Sequence, residues 1–262
     1  MKLMTLNIWG GRVYEPFLKF IRENKDNVDI FCFQEMFQSP ESKFSNSIKS
    51  DIYLDVERIL KDHVGFFAPT FTGYDTEDSV DFDIAFGQAT FIKKSIELIS
   101  QETIFVHGKF DHTPPAKVHI PNVKVALDLP RNIHLVKIKV NKKEMLVGNL
   151  HGYWLPSSKS DTPESIRQMK IVKKVFSKFN GPKILCGDFN LRPDTESVRM
   201  LENDMKNLII EYGVTNTRSN LHKKTEKFAD YIMASKDIEI KNFEVISKDI
   251  SDHLPIMIDF TV

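Results

Sequence analysis

Asp188 and Asn190 are the residues whose types and spacing are best suited to chemistry. They follow the short apolar run 184–186, which begins after a Gly-Pro turn and is predicted to be a buried strand. If the backbone stays extended to Asn190, side chains two apart share a side, so the pair points one way while Phe189 packs on the other. A carboxylate can take a proton from water, and an amide can hydrogen-bond that water or a phosphate oxygen. The alternative is that the pair only ends a strand and begins a turn.

Three further apolar strands are predicted to end in polar residues. Strand 2–8 ends near Asn7, strand 28–36 ends at Glu35, and strand 144–150 is followed by His151. An isolated buried carboxylate is costly unless it is paired or bound to a metal, so Glu35 is a candidate ligand; exposure at the strand end is the alternative. A single histidine is more often structural than catalytic. If these strands lie in register, however, their polar ends meet Asp188 on one edge.

Two predicted strands near the C-terminus carry polar residues where they begin. Asp230 lies near the start of 228–233, and Asp252 and His253 precede the apolar run 254–258. To bring these residues to the same edge, both strands must run antiparallel to the earlier ones, so the sheets are predicted to be mixed. Asp252 and His253 are adjacent, so in an extended chain they face different directions and should have different roles.

Buried strands and amphipathic helices alternate along the chain. Helices are predicted from about Pro16 to residue 24, over 50–62, over 163–179, and from Asp194 or Thr195 as cap to about residue 212. Further strands are predicted over 64–71, 84–92, 96–105, 123–129 and 133–140. The acidic segment 74–83 is predicted to be a solvated loop, and His107, His112 and His119 to be surface histidines.

The composition is that of an ordinary soluble globular protein. Of 262 residues, 41% are hydrophobic and 27% charged, which fits one domain over residues 1–262. The 36 basic residues equal the 36 acidic ones, so no global basic field attracts nucleic acid and an anion must be bound by a local patch. Cys32 and Cys186 lie in apolar runs and are predicted to be reduced core thiols. With no signal peptide and no membrane-spanning run, we expect a cytoplasmic monomer.

Six short motifs occur together in the order of a known superfamily. They are Thr5-Leu6-Asn7, Phe33-Gln34-Glu35, Asn149-Leu150-His151, Gly187-Asp188-Phe189-Asn190, Ala229-Asp230-Tyr231 and Ser251-Asp252-His253. Each motif is weak alone, but together they resemble the endonuclease/exonuclease/phosphatase superfamily over residues 5–258, essentially the whole chain. The resemblance implies a deoxyribonuclease I-like four-layer α/β sandwich, with two mixed β-sheets face to face and helices outside. It also implies hydrolysis of a phosphoester with a divalent cation.

The residue types agree with a hard metal ion. Glu35, the Asn7 amide and Asp252 offer oxygen ligands that suit Mg²⁺ or Mn²⁺, and the sequence has no thiolate or histidine cluster of the zinc type. Such an ion polarises a phosphoryl oxygen and offsets the charge that develops on the transferring group. We therefore expect these three residues to be the metal ligands.

The remaining motif residues have predicted catalytic roles. Asp188, paired with Asn190, is the candidate general base on the attacking water, and His253, oriented by Asp230, is expected to hydrogen-bond the non-bridging phosphate oxygens. The resemblance implies that His151 contacts the phosphate or assists the leaving oxygen. Histidine at this position resembles the deoxyribonuclease I, sphingomyelinase and tyrosyl-DNA phosphodiesterase branches more than the abasic-site endonucleases, which usually have tyrosine.

Three residues outside the motifs are candidates for substrate binding. Arg218 lies in a basic segment with His222, Lys223 and Lys224 and is a candidate anion clamp, because arginine presents a rigid fork to phosphate; a solvated basic loop is the alternative. Tyr153 and Trp154 are candidates for stacking on a base, or for packing behind the site.

Three functions are consistent with the sequence. The favoured one is a phosphodiesterase acting on nucleic acid or a nucleic-acid end, by in-line attack of an activated water. The zero net charge and the acidic segment 74–83 count against it, because both disfavour a duplex. The second is a phosphatase or phosphodiesterase for a small-molecule or lipid-derived phosphoester. The third is a non-catalytic binding module, which is disfavoured because all six motifs are complete.

Overall fold

A computed structural model describes residues 1–110, 129–156 and 158–262. Its strands are β1 Lys2–Asn7, β2 Ile30–Gln38, β3 Phe44–Ser45, β4 Ile48–Lys49, β5 His63–Thr72, β6 Ala85–Lys93, β7 Glu97–His107, β8 Arg131–Val140, β9 Lys143–His151, β10 Lys183–Asp188, β11 Met205–Asn207, β12 Asp230–Ser235, β13 Glu239–Val245 and β14 Ile256–Thr261. Its helices are α1 Tyr14–Asn24, α2 Ile52–Ile59, α3 Pro163–Ser177, α4 Glu196–Glu202 and α5 Leu208–Glu211, with a 3-10 turn at Trp9–Gly11.

Two six-stranded sheets contain most of these strands. The first has the order β13-β14-β1-β2-β6-β5 and the second β11-β12-β10-β9-β8-β7. Each sheet has a central parallel pair, β1 with β2 in the first and β9 with β10 in the second, and its other pairings are antiparallel. The prediction that the C-terminal strands run antiparallel to the earlier ones is confirmed, since β12 pairs with β10 and β14 with β1.

The sheets pack face to face, with helices on both outer sides. The alternation of β1 shows the layering: Leu3 belongs to the core shared with the second sheet, whereas Met4 packs in the other core with Phe17 and Ile21 of α1. On the far side, Met169, Val172 and Phe176 of α3 pack on the second sheet. The predicted four-layer sandwich of two mixed sheets and flanking helices is confirmed. No helix in the described ranges is long and apolar enough to cross a bilayer.

Buried polar side chains join the two sheets in the interior. Asn149 of β9 donates to the carbonyl oxygens of Phe33 (3.2 Å) and Ala89 (3.1 Å) in the first sheet, and its own oxygen accepts from Gln34 Nε2 at 2.7 Å. Thr90 Oγ1 lies 2.9 Å from His134 Nδ1. These hydrogen bonds satisfy polar groups that would be costly to bury unpaired.

The two cysteines also meet at this interface. Cys32 of β2 and Cys186 of β10 are fully buried free thiols, as predicted. Burial raises the pKa of Cys32, and the neighbouring Cys186 raises it further. The two strands that carry Glu35 and Asp188 therefore meet just below these residues.

Several predicted elements differ from the structure. The helix predicted to run to about residue 212 ends at Glu202, because the chain then forms the edge strand β11 beside β12 and a separate short helix, α5. Its cap is Thr195, which accepts from Val198 N. The 74–83 segment lacks helix and regular strand as predicted, but Asp75 within it is fully buried. Residues 123–128 of a predicted strand, His112 and His119 lie outside the described residues.

Candidate active site

The central parallel pairs bring four motif residues to one rim of the sandwich. Asn7 is the last residue of β1, and in the second sheet Asp188 lies opposite His151 in the register of β10 and β9. Asp188 is also opposite Asp230, the first residue of the antiparallel β12. Carboxyl ends of parallel strands lie at the same sheet edge, which is why residues so distant in sequence meet.

Glu35 reaches the rim through a β-bulge rather than at a strand end. The predicted strand end was wrong, since β2 continues to Gln38 and its pairing with β6 shifts register between Phe33 and Met36. Glu35 has a φ of 57°, a left-handed conformation that is uncommon for a side chain with a Cβ. Bulges re-aim side chains next to functional sites, and this one turns the Glu35 carboxylate toward Asn7.

Asn7 connects the acidic residues of the two sheets. Its Nδ2 donates to Glu35 Oε1 and to Asp188 Oδ2, each at 3.0 Å. Its Oδ1 accepts from the backbone N–H of Trp9 at 2.9 Å. The Asn7 side chain therefore presents hydrogens to the two carboxylates, whereas the sequence analysis expected its oxygen to face a metal.

Asp188 and Asn190 lie together as predicted, but for a different reason. β10 ends at Asp188 and Asn190 adopts a φ of 59°, so the pair is held by a turn and not by an extended strand. The Asn190 backbone N–H donates to Asp188 Oδ1 at 2.8 Å, as in an Asx turn. The predicted inward packing of Phe189 is correct, since its ring stacks on Tyr231 with centroids 4.8 Å apart.

His253 is held by a buried carboxylate. Its Nδ1 lies 2.8 Å from both oxygens of Asp230, and Asp230 also accepts from Thr217 Oγ1 at 3.0 Å. His253 Nε2 points to Asp188 Oδ2 at 3.7 Å and contacts Arg218 Nη1. The predicted carboxylate-imidazole pair is therefore present in this geometry.

Charges around His253 shift its pKa in opposite directions. Burial and the Arg218 guanidinium lower the pKa of His253. The carboxylates of Asp230, Asp252 and Asp188 outweigh them and raise it above the ordinary value. In the hydrogen-bond geometry, Nδ1 donates to Asp230, whereas Nε2 faces the Arg218 guanidinium, which can only donate.

Asp252 faces the same site as its neighbour His253. Its Oδ2 lies 3.4 Å from Arg218 Nη1 and 3.4 Å from His222 Nδ1, while Oδ1 is buried without a hydrogen-bond partner in the described ranges. The expectation that Asp252 and His253 face different directions does not hold in this loop, because Asp252 Oδ1 is 3.8 Å from His253 Nε2.

His151 presents a proton, not a lone pair, to the acidic residues. Burial lowers the pKa of His151 well below its ordinary value, and the charge of Arg131 lowers it further, so the ring is neutral at pH 7. Arg131 Nη1 donates to His151 Nδ1 at 3.3 Å, which leaves the ring hydrogen on Nε2. Nε2 points to Glu35 Oε1 at 3.7 Å and Asp188 Oδ2 at 3.9 Å.

Two buried cations beside these residues were missed by the sequence analysis. Arg131 is 5% exposed at the start of β8, and Lys159 is 6% exposed in the loop before α3, with its ammonium on Asn190 Oδ1. Burial lowers the pKa of Lys159 to about 8. A charged residue after a proline at the start of an apolar strand was the available signal for Arg131; nothing in the loop sequence distinguishes Lys159 from a surface lysine.

These side chains line one cleft of about 480 Å³. Its lining includes Glu35, His151, Asp188, Asn190, Asp252, His253, Arg131, Lys159 and the predicted substrate residues Arg218 and Trp154. Asn7 and Asp230 support these residues from beneath. Tyr153 does not line the cleft; its ring packs on His107 with centroids 4.6 Å apart, in agreement with the alternative prediction.

Glu35, Asp188 and Asp252 have the properties of ligands for a hard cation. Burial raises the pKa of Glu35, and the charges of Asp252 and Asp188 add to this while the Asn7 hydrogen bond opposes it. Asp252 Oδ1 is a buried acceptor that has no hydrogen-bond donor among the described residues. Ligand atoms of Glu35, His151 and Asp188 lie within 4.8 Å of one another, but His151 offers a proton, so the donor set is oxygen.

The sequence matches the profile of the Endonuclease/Exonuclease/phosphatase family over residues 4–253. The chain belongs to this family. Its members hydrolyse phosphoesters with a divalent metal, and the chain is an enzyme of that type. The resemblance seen in the six motifs is thereby confirmed. No curated protein sequence matches the chain significantly.

Solved structures of family members share the fold at low sequence identity. A mannosyl-6-phosphatase from Bacteroides thetaiotaomicron superposes with a TM-score of 0.70 at 16% identity, with 100% of both chains covered. A family protein from Leptotrichia buccalis has the same TM-score at 18% identity and the same coverage. The catalytic domain of human Nocturnin, solved with a bound sulfate anion, reaches 0.70 at 15% identity over 100% of this chain and 94% of that one.

Proposed function

We propose that this protein hydrolyses a small-molecule phosphoester by attack of water, with Mg²⁺ or Mn²⁺ as cofactor. The observation that carries the proposal is the convergence of Glu35, Asp188, Asp252 and His253 in one cleft with buried cations. Acidic oxygens for a cation and basic groups for a phosphate lie side by side, as phosphoryl transfer requires.

Glu35 and Asp252 are the residues that would hold the cation, which leaves Asp188 to act on the attacking water. When bound, it would polarise a phosphoryl oxygen and offset negative charge in the transition state. Asn7 would keep the Glu35 and Asp188 carboxylates apart and aligned through its two donated hydrogen bonds. A set of ligands made only of carboxylate oxygens favours Mg²⁺ or Mn²⁺ over a softer metal.

Asp188 is the proposed acceptor of the proton from the attacking water. Burial tends to raise the pKa of Asp188, but the neighbouring His253 and Lys159 outweigh it and hold this pKa below its usual range, so the group stays ionised. A carboxylate held ionised by its neighbours aligns water strongly by hydrogen bonding, and its proton affinity grows as charge develops on the phosphoryl group. Its Oδ1 is fixed by the Asn190 N–H, which leaves Oδ2 toward Asn7 and the cleft.

The two histidines have separate proposed roles. When its ring is protonated, His253, with Asp230 behind it, donates from Nε2 to a non-bridging phosphoryl oxygen. His151 is neutral with hydrogen on Nε2, so it donates a hydrogen bond to the phosphate or to the leaving oxygen. Both donors are fixed before substrate binds, and preorganised donors of this kind stabilise developing charge without reorganisation.

Of the two substrate classes expected from the sequence, the cleft geometry favours the small phosphoester. Arg131, Lys159 and Arg218 are buried inside the cleft, where they can reach a single bound phosphate. The acidic segment 74–83 reaches the cleft, where Glu77 lines the wall and pairs with Arg12 at 2.7 Å. This ion pair engages the Arg12 guanidinium, so Arg12 is not an unpaired basic group that could hold the flanking phosphates of a duplex.

Hydrolysis assays on a substrate panel test this proposal. Sugar phosphates, inositol phosphates, sphingomyelin, single-stranded DNA, RNA, 5′-tyrosyl DNA and an abasic duplex are compared with Mg²⁺ and with a chelator. We expect metal-dependent release of phosphate from a small substrate that is lost in Asp188→Asn. Preferential cleavage of a nucleic acid, with affinity falling steeply as salt is added, would contradict the substrate class; metal-independent turnover would contradict the mechanism.

A further inference from the structure

Three buried cations in the cleft have fewer acidic partners than their burial calls for. Arg131, Lys159 and Arg218 are each at most 6% exposed. Within the described ranges, only Arg218 has a carboxylate at ion-pair distance, Asp252 at 3.4 Å. The Nε atoms of Arg131 and Arg218 are buried without a hydrogen-bond partner in those ranges. Buried charges are normally paired, so these groups indicate an anion that the chain itself does not supply.

The charge balance of the cleft indicates how negative that anion is. The three carboxylates that line the cleft, Glu35, Asp188 and Asp252, contribute three negative charges, and a divalent ion would leave one of them uncompensated. The three buried cations then give an excess of two positive charges among these groups. Asp230 lies beneath the cleft, where its oxygens accept from His253 Nδ1 and Thr217 Oγ1, and it is not counted among the groups that face an anion. A phosphomonoester carries nearly two negative charges at neutral pH, whereas a phosphodiester carries one.

Lys159 is the cation most directly tied to the reaction centre. Its ammonium bonds to Asn190 Oδ1, and Asn190 in turn holds Asp188 through its backbone N–H. The backbone carbonyl of Lys159 accepts from Arg192 N at 2.8 Å, which anchors the loop to the turn after β10. An ammonium has three donors, so two remain for an incoming anion after Asn190 takes one.

We propose that the cleft is specific for phosphomonoester dianions, and that Lys159 is the specificity-determining residue that recognises the second negative charge. This rests on the proposed phosphoester hydrolysis and adds the substrate class. Lys159 binds a terminal phosphoryl oxygen, an oxygen that is esterified in a diester. An esterified oxygen carries no negative charge for the ammonium to bind. Its substituent would also have to occupy the space in which the Lys159 ammonium lies.

A matched pair of substrates tests this proposal. p-Nitrophenyl phosphate and methyl p-nitrophenyl phosphate differ by one methyl group on the phosphate and share a leaving group. We expect the protein with Mg²⁺ to prefer the monoester, and Lys159→Met to lower kcat/KM for the monoester at least about tenfold more than for the diester. Lys159→Arg should recover part of the loss. Lys170→Gln, on the exposed face of α3, is the matched control and should change neither substrate.

The unfolding temperature of Lys159→Met distinguishes a role in substrate recognition from a role in folding. Lys159 is a buried cation without a carboxylate partner in the described ranges, so Lys159→Met should leave the unfolding temperature unchanged or raise it. Equal losses on both esters, or a preference for the diester, would overturn the proposal. If neither ester is hydrolysed, the proposed function fails, and calorimetric binding decides about Lys159. Tighter binding of inorganic phosphate than of dimethyl phosphate, weakened in Lys159→Met, supports the proposal, and equal binding refutes it.

Discussion

The central strands present buried polar residues at two levels, and the two levels differ in their partners. On β1, β9 and β10, side chains two apart share a side, so Thr5 lies below Asn7, Asn149 below His151, and Cys186 below Asp188. Asn149 bonds to Gln34 of the opposite sheet at 2.7 Å, and Thr5 Oγ1 accepts from the same Gln34 Nε2 at 3.1 Å. The upper residues line or support the cleft, where Asp252, Arg131 and Arg218 retain buried atoms without partners in the described ranges.

Hydrogen-bond partners distinguish the buried polar residues that stabilise the fold from those that act on a substrate. Burial alone does not, since Asn149 is fully buried and His151 is 4% exposed. At the lower level the fold supplies partners for both polar atoms of the Asn149 amide and for Gln34 Nε2, and only the neutral Gln34 Oε1 of these atoms lacks one in the described ranges, so these residues stabilise the sandwich. At the upper level the fold supplies an excess of unpaired charge, which costs stability and is compensated only when ligands bind. We therefore expect substitutions at the upper level to lower turnover with little loss of stability, and substitutions at the lower level to lower stability with little loss of turnover.

The largest expected effect is that of Asp188→Asn at the upper level. The amide cannot accept the proton of the attacking water, so turnover should fall at least about a hundredfold. The unfolding temperature should stay near that of the parent, because the amide can still accept the Asn190 N–H. The measurement is steady-state kinetics with Mg²⁺ on the best substrate of the panel. Near-normal turnover would show that another residue is the base.

His253→Ala should have an effect of similar size on turnover. It removes the proposed donor to the phosphoryl oxygen, a loss worth at least about a hundredfold. It also leaves the Asp230 carboxylate buried with Thr217 as its remaining hydrogen-bond donor, so some loss of stability is expected. His253→Gln is the matched variant that retains a donor. The glutamine variant should recover part of the lost turnover, and an alanine variant as active as the parent would contradict the donor role.

Asn149→Leu should reverse the pattern at the lower level. It removes the acceptor of Gln34 Nε2 and the donor to two carbonyl oxygens, so the free energy of unfolding should fall by about 2 to 3 kcal/mol. Urea denaturation measures this. Turnover per folded molecule should remain within a few-fold of the parent. A hundredfold loss of turnover in a fully folded variant would show that Asn149 acts in catalysis and not only in stability.

A smaller, pH-dependent effect is expected at His134, also at the lower level. Burial lowers the pKa of His134 from 6.5 to about 4. Below pH 6.5 the unfolded chain binds a proton that the folded chain resists, so stability is lost as the pH falls. The loss should reach about 2 kcal/mol by about pH 5. His134→Gln should show a shallower decline in unfolding free energy over this range; an identical slope would mean that His134 is not protonated on unfolding there.

The sequence predicted which residues converge but not how each one reaches the rim. Polar residues at strand ends identified the edge because strand polarity and period follow from local pattern. Glu35 arrives through a bulge and Asn190 through a left-handed turn, conformations that depend on tertiary pairing. Arg131 and Lys159 were missed because a lysine in a loop is exposed by default and only the packed loop buries it.

Glu35 and Gln34 are adjacent residues at the two levels, and the pair Glu35→Gln and Gln34→Leu tests the account most directly. Mg²⁺ binding by calorimetry, turnover and urea unfolding are measured on both variants. We expect Glu35→Gln to lose Mg²⁺ binding and at least about a hundredfold in turnover while its stability without metal is unchanged or higher, because a carboxylate with a raised pKa is removed. Gln34→Leu should lose stability and keep Mg²⁺ binding. Unimpaired Mg²⁺ binding and turnover in Glu35→Gln would contradict the account.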